Sequence, residues 1–138
     1  MRGLWCASAA AGLMVLAGCG PGDPFSRQAV SGTVTYKSKP LVYGQIEFYP
    51  AAGQQTPLTL EVRDGKFAAD KARGLSAGKY DVRISGFDAP PPQSDPAEAG
   101  KFLGPLPKAI VPEKYNTKST LTTEIKTGDK NELTFALD

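Results

Sequence analysis

The chain contains no histidine, which removes the commonest general base, proton shuttle and metal ligand. It has two cysteines, Cys6 and Cys19, both close to the N-terminus. Beyond them no disulfide framework, thiol nucleophile or cysteine–histidine metal site can be built. Blocks of like charge are also missing. Lysine and arginine number 16 against 14 acids, a net charge of +2, and the two signs are interspersed. That balance offers no footprint for nucleic acid and no polybasic patch for anionic lipid. After the N-terminal region no segment keeps a helical period, and 12 prolines disfavour helices further. Serines occur without a Gly-x-Ser-x-Gly elbow, and neither a phosphate loop nor a dinucleotide fingerprint is present. Asp64-Gly65 and Asp129-Lys130-Asn131 lack the acid count and spacing of a calcium loop, so both read as turns.

The N-terminus is built differently from the rest. Arg2 precedes an apolar stretch, Gly3 to Ala17, that falls short of the roughly 20 residues needed to span a bilayer. It ends in Leu16-Ala17-Gly18-Cys19, and polar sequence follows at once. Small side chains at Ala17 and Gly18 let a backbone enter a peptidase cleft, and the Cys19 thiol can take a diacylglyceryl group. The four residues closely resemble the lipobox, the processing motif of bacterial lipoproteins. That resemblance implies a cleaved signal helix over residues 1–18 and acylation of Cys19. The plainer alternative is an ordinary secretory signal with Cys19 an incidental thiol. Stable anchoring would need more than one acyl chain. The expected location is the cell envelope, attached to membrane through Cys19. Gly20, standing where an aspartate would retain the protein, leans towards the outer membrane.

Residues 19–28 are rich in Gly, Pro, Asp and Ser and read as a tether. From there the pattern has period two. Val30, Gly32, Val34 and Tyr36 share one face, as do Ile46 and Phe48. Leu58, Leu60 and Val62 alternate with polar residues before Asp64-Gly65 turns the chain into Lys66-Phe67-Ala68, the strongest hairpin signal present. Tyr80, Val82 and Ile84 form another alternating run. Leu121, Thr123 and Ile125 pair naturally, through Gly128-Asp129, with Leu133, Phe135 and Leu137. The expectation is an all-β, single antiparallel seven-stranded Greek-key-type β-sandwich over residues 29–138. Its core is Val34, Ile46, Phe48, Phe67, Tyr80, Val82, Ile84, Leu121, Ile125, Leu133 and Phe135.

The series Val30-Ser-Gly-Thr-Val-Thr-Tyr, Lys39-Pro-Leu, Gly44-Gln-Ile-Glu-Phe-Tyr-Pro, Asp64-Gly-Lys-Phe and Gly74-Leu-Ser-Ala-Gly-Lys-Tyr-Asp-Val resembles carboxypeptidase regulatory-like domains. These have a transthyretin-like (prealbumin-like) sandwich and are related in shape to Cna protein B-type repeats. Val111-Pro-Glu-Lys-Tyr-Asn and Ser119-Thr-Leu-Thr look like small bacterial lipoproteins carrying one such domain. The resemblance implies a non-catalytic scaffold or adhesion role and supplies no catalytic residues. Gly32 and Gly44 suit close backbone approach or a bulge, and Asn116 suits an Asx-turn onto Lys118.

Function is expected in the connection from Phe87 to Pro107, which is long for a compact domain. Pro90, Pro91 and Pro92 hold it near polyproline II, and Phe87, Phe102 and Leu103 fall outside the alternating core pattern. These six residues are the candidate binding loop, for another envelope protein or a glycan. No cofactor is expected. Tyr43, Tyr49 and Tyr115 are a second candidate, as a sugar-stacking patch, against the plainer reading that they fill sheet faces. Asp70, Glu98, Glu113 and Glu124 would be the acids of a small carboxylate-dependent hydrolase, a rival reading. A third is a Cna B-type adhesion module, with an isopeptide joining Lys37 or Lys39 to Asn131 beside Glu47.

Overall fold

The computed structural model describes residues 25–53, 57–92, 104–128 and 130–138. Residues 1–18, where a signal is expected, and Cys19, Glu98, Phe102, Leu103 and Asp129 lie outside them. Eight strands follow one another: β1 (Val30–Tyr36), β2 (Lys39–Pro40), β3 (Tyr43–Pro50), β4 (Leu58–Arg63), β5 (Lys66–Ala69), β6 (Gly78–Phe87), β7 (Leu121–Ile125) and β8 (Asn131–Leu137). The two-residue β2 is the addition to the seven read from alternation. Among the described residues there is no α-helix, only a 3-10 turn over Glu113–Tyr115.

The strands form one curled sheet in the order β2-β1-β5-β4-β3-β6-β7, with β8 added to β1. The curl falls at Asp64-Gly65. Both residues have positive φ, 49° and 73°, the geometry of a type I′ hairpin. Below the turn β4 and β5 pair only at Arg63↔Lys66, so β5 swings away to join β1. Backbone bonds sew the turn to its surroundings: Gly65 N–H donates to Leu41 O at 2.7 Å, and Val34 N–H to Gly65 O at 2.8 Å. The inner faces of the two halves then meet, with the Phe67 ring on β5 lying 6.1 Å from Phe48 on β3. Phe135 on β8 extends the cluster within the first half, 6.4 Å from Phe67.

The alternation assigned each of the seven strands it identified to the correct face. Val34, Ile46, Phe48, Phe67, Tyr80, Val82, Ile84, Ile125 and Phe135 are all buried. Tyr80 satisfies its hydroxyl by donating to Ser76 O at 3.0 Å. Two expected core residues, Leu121 and Leu133, are only half-buried. Both sit on strands at the rim of the sheet, beyond which no described strand lies. Gly32 faces inward under a close crossing: a Cβ there would lie 2.1 Å from Leu133 O. The close approach anticipated at this glycine is therefore real.

Two expectations are corrected. β7 and β8 do not form a hairpin, and the sheet is not wholly antiparallel. β7 pairs with β6, while β8 crosses to the other half and runs parallel to β1 from Val30↔Asn131 to Tyr36↔Leu137. The crossing is held by Asn131, whose Oδ1 accepts from Lys126 N–H at 2.8 Å and whose Nδ2 donates to Lys126 O at 3.1 Å. Gly128 N–H donates to Gln28 Oε1 at 3.0 Å, which ties this connection to the segment before β1. Gln28 itself is buried and exchanges backbone bonds with Leu75, so the contacts of the β-domain reach ahead of β1. Secondly, Asn116 does not close an Asx-turn onto Lys118. The Lys118 N–H goes to Glu113 O at 2.9 Å, because the 3-10 turn already presents that carbonyl.

Candidate functional site

Tyr43 and Phe87 stand opposite each other at one end of the β3–β6 ladder. Their rings are 6.3 Å apart and tilted by 42°. On the other side of Tyr43 the ladder places Arg63, whose guanidinium lies 5.9 Å from the tyrosine ring centroid. An aromatic and cationic row thus crosses three strands on the outer face. Beside it lies a polar row, Glu61, Gln45 and Ser85, set by the same register. Arg63 Nε donates to Glu61 Oε1 at 2.6 Å, which fixes the fork along the rim. Partial burial first, then the Glu61 carboxylate, push the Tyr43 hydroxyl above its ordinary pKa, with Arg63 opposing. The phenol stays neutral and able to donate at physiological pH.

The long connection leaves β6 at Phe87 and returns beside it. Phe87 bridges Ala109, and Ile110 N–H donates to Gly86 O at 2.8 Å. Asp88 N–H donates to Lys108 O at 3.1 Å, and Lys108 N–H returns to Asp88 Oδ1 at 2.9 Å. The excursion is therefore tied at its neck. At this neck a cleft of about 380 Å³ opens between Tyr43, Gln45 and Phe87 on the sheet and Pro91, Leu106 and Pro107 on the returning chain. Leu106 is 74% exposed, so the cleft presents apolar surface to solvent. The lining offers flat aromatic and prolyl faces with one amide to orient a ligand.

Of the candidate binding residues, the structure brings Phe87 and Pro91 into this cleft. Pro90 and Pro92 lie beside it in the loop, Pro90 exposed and Pro92 half-buried. Phe102 and Leu103, like Leu16, Ala17, Gly18 and Cys19, lie outside the described residues. Tyr43 and Gln45 were not assigned to the loop site, because only the strand register reveals them as neighbours of Phe87. The three-tyrosine patch does not form. Tyr43 and Tyr49 are six residues apart on β3, which separates them by about 20 Å. Tyr49 instead stacks under Arg83, whose guanidinium is 4.6 Å from its ring centroid. Tyr115 sits in the 3-10 turn and accepts from Asp138 N–H at 3.0 Å, a bond that pulls its pKa down, with Lys114 adding to the effect.

A larger groove of about 610 Å³ lies outside the curl, where two acids, Glu61 and Glu132, are mixed with two bases, Arg63 and Lys66. It has the mixed charge of a solvated face. Among the acids weighed for catalysis, Asp70, Glu113 and Glu124 are exposed and lie apart in the chain's architecture, after β5, in the 3-10 turn and on β7. Among the described residues no cluster of three acids, cysteines or histidines could hold a metal. Comparison with protein-family models, curated proteins and solved structures returned no match.

Proposed function

We propose that this chain is a lipid-anchored envelope protein whose β-domain works by binding rather than catalysis, through the cleft at the neck of the Phe87–Pro107 loop. Cys19 carries the anchor in this reading, residues 1–18 are removed, and the remaining tether leads to the domain. The curled sheet is a two-layer sandwich of the transthyretin-like, carboxypeptidase regulatory-like kind. What supports the layering is the contact of Phe48 with Phe67 across the fold and the break of the sheet at Asp64-Gly65. The single observation that carries the binding reading is the cleft itself. Its aromatic floor belongs to a rigid ladder and its other wall is prolyl, so little entropy is lost when a ligand docks. The ligand is another envelope protein or a glycan presenting a flat apolar face.

The hydrolase reading finds less support, since the acids at Asp70, Glu113 and Glu124 do not share an element or a pocket. The Cna-like reading is weakened by Asn131, whose amide is already used on both atoms to clasp Lys126. Replacing residues 89–105 with a short Gly/Ser linker tests the proposal. The shortened protein should keep its melting transition and lose partner capture when intact envelopes are cross-linked. Unchanged capture by a folded, shortened protein would move the binding surface elsewhere.

A further inference from the structure

Among the described residues, β8 has a paired strand on one side only. It pairs with β1 along its whole length, and no described strand lies beyond it. Lys37 N–H donates to Leu137 O at 2.8 Å, so Leu137 turns its backbone polar groups towards β1. By strand alternation Asn131, Leu133 and Phe135 do the same, and Glu132, Thr134 and Ala136 present theirs to the open edge. The ends of that edge are occupied. Glu132 N–H donates to Lys130 O at 3.1 Å, and Asp138 N–H donates to the Tyr115 hydroxyl at 3.0 Å. Between them remain the N–H groups of Thr134 and Ala136 and the carbonyls of Glu132, Thr134 and Ala136.

Free edges in folded proteins are normally blunted by proline, lysine, a bulge or brevity. The edge at β2 follows this rule, being two residues long and made of Lys39 and Pro40. β8 does not. It runs for seven residues, Asn-Glu-Leu-Thr-Phe-Ala-Leu, with one charge and no proline. Its inward-facing Leu133 is half-buried, and no described strand closes the rim beside it.

We propose that this edge joins a second copy of the chain, β8 against β8 antiparallel, about a twofold axis at Thr134. The backbone inventory is what selects this occupant. With Thr134 opposite Thr134 of the second copy, each Thr134 N–H meets the other's carbonyl. Each Ala136 N–H then meets the carbonyl of Glu132 across the axis. All the donors left open are used, and the already bonded Glu132 N–H is not required. Side chains agree with the same register. Glu132 faces Ala136, so no like charges are opposed, and Leu133 faces Phe135, which closes the rim with apolar surface. An isologous contact of this kind closes as a dimer and leaves no further edge of β8 to propagate a fibre.

The test measures the mass of the full chain in detergent micelles across a range of protein concentration, by sedimentation. The natural chain should shift from monomer to dimer. Position 136 is exposed, so charge placed there spares the fold while facing Glu132 twice across the axis. Ala136→Glu should weaken dimerisation by roughly tenfold and Ala136→Lys should strengthen it, because opposed charges repel or attract across paired strands. The double variant Glu132→Lys with Ala136→Glu should recover the dimer. Thr134→Pro removes two of the bonds at the axis and should leave a monomer, its proline being tolerated on an outward-facing edge position. A natural chain that stays monomeric throughout overturns the proposal, including the case in which β8 binds a different protein. So does a dimer whose stability moves in the same direction, or not at all, with glutamate and lysine at position 136.

Discussion

Truncating Phe48 to alanine probes the packing on which everything else rests. The side chain has no accessible surface, and its ring reaches Phe67, which in turn reaches Phe135. One substitution therefore opens a cavity where β3, β5 and β8 converge. Removing a fully enclosed phenylalanine costs about 3–5 kcal/mol. A domain of this size has about 5–15 kcal/mol in total, and no disulfide holds the described residues in reserve. The melting temperature should fall by roughly 15–30 °C, read by circular dichroism or calorimetry. Tyr49→Ala is the matched control, one residue along and on the opposite face. Tyr49 is 39% exposed, and its loss removes mainly the stacking with Arg83, about 0.5–1 kcal/mol at an exposed site. If Tyr49→Ala proves as costly as Phe48→Ala, the register of β3 is wrong, since a slip of one residue exchanges the two faces.

Gly32→Ala should destabilise by about 1–3 kcal/mol or more, because the new methyl would meet the Leu133 carbonyl, which cannot rotate away; an unchanged urea midpoint would contradict the close crossing of β1 and β8. Among the tyrosines, Tyr115 should lose its proton before Tyr43 when followed by NMR as pH rises, since their pKa values are displaced in opposite directions. The raised pKa of Tyr43 means its contribution to stability is full below the ordinary tyrosine value of 10.0 and is lost as pH climbs through the folded-state pKa. Tyr115 has the reverse sign: its contribution is present above the ordinary value and is lost as pH falls through the lowered one. Cys19→Ser should leave an unprocessed or soluble protein on cell fractionation, whereas a variant still cleaved after Gly18 and firmly membrane-bound would refute acylation at that residue.

The strands were legible because alternation is a local signal and this chain keeps it strictly. Val30 to Tyr36, Ile46 with Phe48, and Tyr80 to Ile84 all face the way their spacing requires. Asp64-Gly65 was legible for a related reason, as the turn chemistry dictates the geometry. Leu41, Leu75 and Val111 are buried too, yet each lies in a connection between strands, where no alternating period marks it. The pairing of β8 with β1 is set by contacts a hundred residues apart. Locally, Gly128 before a strand looks the same whether the chain doubles back or crosses over. What decides it is the Asn131 clasp and the Gln28 bond, both outside any sequence pattern. The candidate site divides in the same way. Phe87 and Pro91 stood out as residues of an overlong loop, whereas Tyr43 and Gln45 join them only through the ladder.

The central claim is that the Tyr43–Phe87 cleft is a binding surface in the envelope, and photo-cross-linking from single positions tests it most directly. A photoreactive phenylalanine analogue placed at position 43 looks into the cleft, and the same group at position 49 lies about 20 Å away on the same strand face. On irradiation of intact envelopes, position 43 should yield one discrete adduct that is absent from position 49. An adduct formed equally from position 49, or none from position 43 in a folded and correctly located protein, would contradict the account.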